Sequence, residues 1–327
     1  MKEKFVGIDL GSSNLIIYTP SKGIIYDEPN AVAINLETKK VVTTGYLALK
    51  MLGKEPDNIT VVKPIEKGVV SSISMETLLL QKIVKDKKCK GLFSNAHLVV
   101  SSPSKLTEVN ILAIKKIAKN LDVKNVDIKP QSLLALLGST TTQVNSRGNL
   151  IVTLGGGCSD ISITSGNKAL ISKTSFFSGK LIDDVITRHL RKKHHLIVGE
   201  KTSEYIKMKI GSLEQFPENR LLEVSGKDIV TSLPTSVIIS TIEIKQAITP
   251  LVGLLLEDIT DCLEVTPSEI SSDIIESGII ICGGTSVLGG IREYLESNLN
   301  IAVRVLSNPT YSVIEGIKNY IHQNTKK

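Results

Sequence analysis

Hydrophobic positions along this chain fall into short β-branched runs that alternate with stretches of helical spacing, the pattern of an α/β protein. Residues 4–9, 14–19 and 23–26 read as a meander of strands, with turns at Gly11-Ser-Ser and Pro20-Ser-Lys-Gly23. Residues 31–70 read as short strands and turns around Leu47–Leu52, closing at Lys63-Pro64. Residues 75–85 put Met75, Leu78, Leu79 and Ile83 on one helical face. Ala96–Ser101 has the unbroken apolar character of a buried strand, and Thr107 predicts the cap of a helix over about 108–119. A helix over Gln131–Gly138 leads to a turn at Ser146-Arg-Gly148. Residues 180–195 and 201–212 read as amphipathic helices, and Thr241–Glu264 as a long apolar helix carrying Pro250. Gly278–Thr285 is another buried strand, ending in glycines.

Within this pattern one device occurs twice. Phe5–Asn14 and Asn149–Asp160 each run an apolar strand into a tight glycine turn. Glycine there allows positive φ and brings backbone N–H groups close to phosphate oxygens. The first copy carries Asp9 just before its glycine, whereas the second carries Thr153 at the matching place. Two such hairpins imply two similar halves closing on one nucleotide, with an acid missing from one of them.

Composition narrows the class. A chain of 327 residues accommodates two core-bearing domains, and 41% hydrophobic with 22% charged residues is ordinary for a globular protein. Aromatic residues make up only 4%, with no Trp, so the core must be built from Ile, Leu and Val. The net charge of +6 is modest, and no aromatic–basic array is present to stack bases, so nucleic acid is not an expected partner. Cys89, Cys158, Cys262 and Cys282 lack metal-ligand spacing and read as thiols in a reducing cytoplasm. Met1–Phe5 has no apolar signal-peptide core, and no apolar run approaches the ~20 residues of a spanning helix. A soluble, cytosolic chain is expected.

The order of these pieces resembles the actin/sugar-kinase/heat-shock-chaperone ATPase superfamily, and within it the MreB family of bacterial actins, over nearly the whole chain. The resemblance rests on Ile8–Asn14, Asp27-Glu-Pro29, Met51–Lys54, Lys63-Pro64, Leu154–Gly157, Gly199–Lys207, Ile210-Gly211 and Cys282-Gly-Gly284. It implies an actin-like ATPase fold: two duplicated domains around a nucleotide cleft, each with a smaller subdomain. Residues 1–143 with 308–327 would form domain I, its small subdomain at about 32–68. Residues 144–307 would form domain II, its small subdomain at about 180–240. ATP and Mg²⁺ are the implied cofactors. Gly11, Ser12, Ser13 and Asn14 would be the first phosphate loop and Gly155, Gly156 and Gly157 the second, with Asp9 holding Mg²⁺ through water. Glu204 and Lys207, three residues apart on one helix face, would meet ribose and adenine. Gly283 and Gly284 would turn the chain against the adenosine.

The same resemblance marks departures. The family normally has Asp at Thr153, Thr at Cys158 and Glu at Asp160. Its water-activating Glu falls on Gln131, and its Gly-Gly-Asp turn becomes Ser178-Gly-Lys180. An amide orients water but does not take its proton, so hydrolysis is expected to be slow or impaired.

Two surface features remain. Lys82, Lys85, Lys87, Lys88 and Lys90 run into Gly91-Leu92-Phe93: either the lysines form a solvated face with the two loop residues folded inward, or the lysines and two apolar tips attach the chain to an anionic membrane through Leu92 and Phe93, and the second reading is the one adopted. Arg188, Arg191, Lys192, Lys193, His194 and His195 read as a solvated basic face. The expected function is a filament-forming cytoskeletal protein for cell shape or motility, located at the inner face of the cell membrane. Its expected partners are further copies of itself in paired protofilaments, with cytoskeletal paralogues as candidates. The Lys/Ile-rich composition is compatible with the paralogues of wall-less, motile bacteria. The rival is a soluble small-molecule kinase of the same fold, which needs a carboxylate base in the second half, first sought at Thr153. A chaperone ATPase would need a substrate-binding domain after residue 327.

Overall fold

The computed structural model describes residues 4–139, 147–166 and 168–325. The expected domain boundary at 143/144, and Ser146 of the expected turn, lie outside the described residues. The predicted meander is present as β1 (Phe5–Leu10), β2 (Asn14–Thr19) and β3 (Gly23–Pro29). A small antiparallel sheet follows, with β4 (Val32–Asn35) between β5 (Val41–Thr44) and β6 (Ile59–Val62). Helix α1 (Gly45–Met51) packs on it through Ala48. A short hairpin of β7 (Ile65–Glu66) and β8 (Val69–Val70) leads to α2 (Ile73–Asp86), β9 (His97–Ser102), α3 (Glu108–Asn120) and β10 (Asn125–Pro130). Thr107 caps α3 by accepting a hydrogen bond from the Asn110 N–H.

After α4 (Gln131–Gly138) the plan repeats. A second meander, β11 (Gly148–Leu154), β12 (Ser159–Ser165) and β13 (Lys168–Ser175), is followed by α5 (Gly179–His194). A second small sheet orders β14 (Leu196–Ile197), β15 (Leu221–Asp228) and β16 (Pro234–Ser240), with α6 (Glu200–Ile210) between the first two in sequence. Then come α7 (Thr241–Glu264), α8 (Ser268–Ser277), β17 (Ile279–Cys282), a 3₁₀ turn at Gly284–Val287, α9 (Ile291–Leu299), β18 (Val303–Val305) and α10 (Ser312–Thr325).

The two five-stranded sheets have one topology, β3-β2-β1-β9-β10 and β13-β12-β11-β17-β18. In each, the central strand pairs antiparallel with the next strand in sequence and parallel with a later one. The duplication therefore extends from the glycine turns to entire sheets. The halves share a core in which Leu134, Leu136, Ile314 and Ile317 of α4 and α10 meet Phe5, Val99, Ile151 and Ile280 from the two sheets. That packing brings the glycine ends of β1 and β11 to one place.

Glu76 on α2 is a polar exception in the core of the first half. Both carboxyl oxygens are buried among Ile8, Leu10, Leu80, Leu98 and Ile114, and among the described residues neither has a hydrogen-bond partner of normal geometry. Burial pushes its pKa from 4.5 up to about 8, with only partial relief from the Asn30 amide. The folded protein keeps this proton at pH values where the unfolded chain loses it. Its contribution to stability is therefore full below about pH 4.5 and declines by about 1.4 kcal/mol per pH unit up to about pH 8. Glu76→Gln should remove that share of the pH dependence. Urea midpoints of both proteins at several values between pH 5 and 8 check it, and parallel pH profiles would refute it.

The loop between α2 and β9 corrects one expectation. Leu92 and Phe93 are 8% and 3% exposed and lie in the same core as Leu79, Ile83 and Leu98. Consecutive tight turns fold them inward, with Leu92 N–H donating to Cys89 O at 3.0 Å and Ala96 N–H to Phe93 O at 3.0 Å. Positive φ at Lys88, Gly91 and Asn95 makes the turns possible, and Lys4 Nζ ties down the Gly91 carbonyl. These residues are part of the core and do not form an inserting tip. The adjoining lysines are partly neutralised as well, Lys82 by Asp86 at 2.9 Å and Lys87 by Glu28 at 3.9 Å.

Candidate functional site

The two glycine turns close with the same hydrogen bond: Gly11 N–H to Asn14 O and Gly155 N–H to Cys158 O, both 3.1 Å. A Cβ at Gly11 would stand 2.6 Å from Asn14 O, and one at Gly155 2.5 Å from Cys158 O, so a side chain at either position would open its hairpin. The tips face each other, with the Ser13 hydroxyl against Gly156 and the Ser12 hydroxyl against Gly157. Ser12 Oγ also accepts from Gly68 N–H at 2.9 Å. Glycines at both tips would let the backbone come close to phosphate oxygens.

Each hairpin is held from behind. Asn30 donates its backbone N–H to Ser13 O at 2.9 Å and its side-chain amide to Gly11 O at 3.1 Å. In the second half, Gly179 N–H and Lys180 N–H at the start of α5 donate to Gly155 O and Gly156 O at 3.0 and 2.9 Å. The Thr285 hydroxyl adds a bond to Gly155 O at 3.0 Å. Thr285 follows Gly283-Gly284, where Gly283 takes φ +88° with its N–H on Pro309 O at 2.7 Å. Asn30 and Thr285 were not singled out from the sequence, although each directly follows a quoted motif.

Asp9 is the last residue but one of β1, beside the first hairpin. Ser101 donates to its Oδ1 at 2.6 Å and accepts from Leu10 N–H at 3.0 Å. Burial raises the Asp9 pKa to about 6, opposed by the Ser101 hydrogen bond and reinforced by Asp27. A half-buried carboxylate at the mouth of a phosphate cradle is a hard oxygen donor suited to Mg²⁺ through water, so the residues present fit ATP with magnesium.

The departed positions lie close together. Thr153 is 3% exposed, faces Asp160 across the β11–β12 pair and accepts from Cys282 Sγ at 3.6 Å. Burial pushes the Cys158 thiol up to about 12, Asp160 adds to this, and the Gln131 amide beside the sulfur opposes it. Gln131 Nε2 is buried with no hydrogen-bond partner among the described residues. Asp160 is fully committed: it accepts from Ser104 N–H at 2.8 Å, Ser104 Oγ at 2.6 Å and Thr174 Oγ1 at 3.2 Å. Ser104 follows β9, so this buried carboxylate ties the first half to the second.

On α6, Lys207 is already engaged, donating to Gly179 O at 3.0 Å and to Asp183 at 2.9 Å, while Glu204 is exposed one turn earlier. Lys207 therefore sits beside the second hairpin, and Asp183, which the sequence reading missed, fixes it there. Burial raises the Asp183 carboxyl to about 6, with Lys207 opposing and Glu204 and Glu200 reinforcing. Lys63, just after β6, forms an ion pair with Glu200 at the start of α6 and so bridges the two halves. Of the sequence-predicted residues, Asp9, both glycine loops, Gln131, Thr153, Cys158, Lys207 and Gly283 converge on this region. Leu92 and Phe93 do not.

Comparison with known proteins gives concordant results. The family model described as MreB/Mbl protein matches residues 3–327. The cell shape-determining protein Mbl of Bacillus subtilis is 32% identical over 313 residues, covering 95% of this chain and 93% of that protein. The cell shape-determining protein MreB of Escherichia coli is 29% identical over 317 residues, covering 95% and 91%. Among solved structures, MreB 5 of Spiroplasma citri bound to AMPPNP superposes with a TM-score of 0.94 at 30% identity, covering 100% of this chain and 99% of that one. A MamK double helical filament shares the fold, with a TM-score of 0.81 at 18% identity and coverage of 98% and 99%.

Proposed function

The chain belongs to the MreB/Mbl family of bacterial actin homologues, and from that premise we propose that it is a cytoskeletal protein that binds ATP·Mg²⁺ between its two halves and polymerises. The observation that carries the reading is the pair of matched glycine hairpins, tip to tip, each buttressed from its own domain. In this reading Gly11–Asn14 and Gly155–Gly157 bind the phosphates. Glu204, Lys207, Gly283 and Gly284 hold the nucleoside, and Asp9 holds magnesium through water. Bound magnesium supplies charge neutralisation on the phosphate oxygens. Residues 1–143 with 308–327, and 144–307, are the two moving bodies, and Lys63–Glu200 is a closing contact between them. The filaments are paired protofilaments in the cytoplasm, supporting shape or motility. Solved structures of Spiroplasma citri MreB5 with AMPPNP and with ADP, and of MamK as a double helical filament, support this reading. Membrane attachment through Leu92 and Phe93 is not part of it, since both side chains are core.

Titration calorimetry should show ATP binding with Mg²⁺ in the micromolar range, roughly −8 kcal/mol. Asp9→Ala should weaken its magnesium dependence. Absence of binding at high micromolar protein would remove the nucleotide assignment.

The kinase alternative needs a free carboxylate near the terminal phosphate in the second half. The position is Thr153, and the neighbouring Asp160 is held by Ser104 and Thr174. Pelleting with ATP, followed by negative-stain imaging, separates the two: filaments that require ATP are expected. Particles that remain monomeric with ATP while phosphorylating a small alcohol would favour the kinase.

A further inference from the structure

We propose that His189, His194 and Glu243 form a zinc-binding site that staples the end of α5 to the start of α7. The His189 and His194 Nε2 atoms lie 2.7 and 2.6 Å from the same oxygen, Glu243 Oε1. All three donor atoms fall within 4.8 Å of one another, so small side-chain shifts suffice to gather them round one ion. The side chains are 23%, 19% and 12% exposed, sheltered enough to be held in place yet open enough to admit an ion and a water. The basic run expected to be wholly solvated thus contains a residue, His194, that turns in towards a carboxylate. His189, one and a half turns earlier on the helix, meets it there.

Both helices present their ligands firmly. Glu243 is in the first turn of α7, where its own N–H bonds the capping Ser240 hydroxyl. Two imidazoles and one carboxylate are a borderline-soft set that suits Zn²⁺ with water as fourth ligand, and is unlike the all-oxygen shell Mg²⁺ prefers. Tetrahedral bonds of 2.0–2.2 Å set ligand atoms about 3.3–3.6 Å apart, so both His–Glu243 contacts must open by roughly 0.6–1 Å. Lys193 Nζ, 3.4 Å from Oε1 on a side chain that is 55% exposed, swings outward as the ion enters. The site is at the opposite end of α5 from the bonds that hold the second glycine hairpin, so it is independent of the nucleotide reading.

The test is Zn²⁺ titration of the full chain in millimolar Mg²⁺ and ATP. One equivalent should bind in the low micromolar range or tighter and raise the thermal midpoint by a few degrees. His189→Ala/His194→Ala should weaken binding by about 100-fold and abolish the thermal shift. Glu243→Gln keeps an acceptor for both imidazoles and so guards against misfolding. It should weaken binding at least tenfold. Co²⁺ bound in place of Zn²⁺ should give a spectrum without thiolate charge-transfer bands, which separates this site from the cysteines. No saturable binding by the wild-type protein, undiminished binding by both variants, or a thiolate-type Co²⁺ spectrum would overturn the proposal.

Discussion

Phosphate release from this protein is expected to run about 10²–10⁴-fold more slowly than from a relative that keeps a carboxylate base at the Gln131 position, equivalent to roughly 3–5 kcal/mol of barrier. Attack on a terminal phosphate needs a placed water and an acceptor for its proton. Gln131, at the first turn of α4, can place water but takes no proton, and its amide abuts the Cys158 thiol. That thiol is neutral at physiological pH, because burial pushes its pKa to about 12, so it does not substitute as a base. Asp160, the nearest alternative on β12, is held by the Ser104 and Thr174 hydrogen bonds. The combined variant Gln131→Glu/Thr153→Asp/Cys158→Thr should speed release at least about tenfold, or ~1.4 kcal/mol. Single changes should do less, since groups acting as a unit are not additive. Thr153→Asp faces Asp160 directly across the strand pair, so its thermal stability must be measured alongside. A folded triple variant no faster than wild type, or wild-type release already at the rate of such a relative, would refute this account.

Leu92→Ser/Phe93→Ser should cost more than about 5 kcal/mol of stability and leave little folded protein. Truncating a buried Phe alone typically costs 3–5 kcal/mol, and a buried Leu 2–5. Each serine would also leave a hydroxyl in the apolar cluster around Leu79, Ile83 and Leu98. Substituting the exposed Lys88 and Lys90 by Ser should change stability by less than about 0.5 kcal/mol. Denaturant unfolding of the two pairs checks the contrast. A double Leu92/Phe93 variant as stable as wild type, with loss confined to vesicle co-sedimentation, would restore the loop as a membrane tip.

What the chain determines locally was legible in its sequence. The meander of β1–β3, the Thr107 cap, the span of α4 and the Pro250-bearing α7 follow from short-range rules of period, capping and propensity, and all appear where those rules place them. The duplicated glycine turns were also readable, because a backbone that must tuck against its own carbonyl admits only glycine. Tertiary structure decided what depends on distant partners. Helix α1 formed where strands and turns were expected, once Ala48 found Ala31 and Ala33 across the small sheet. Leu92 and Phe93 read as tips because apolar residues beside lysines carry no sign of which way a loop turns; the closed turns at Lys88, Gly91 and Asn95 sent them inward. Asn30, Ser101 and Asp183 are ordinary polar residues in sequence, and they gain roles only when folding sets them against Gly11, Asp9 and Lys207. His189, His194 and Glu243 are up to 54 positions apart, and two helix ends had to meet before they formed a cluster. Period and capping act over a few residues and are written in the chain, whereas burial and side-chain pairing are properties of the assembled fold.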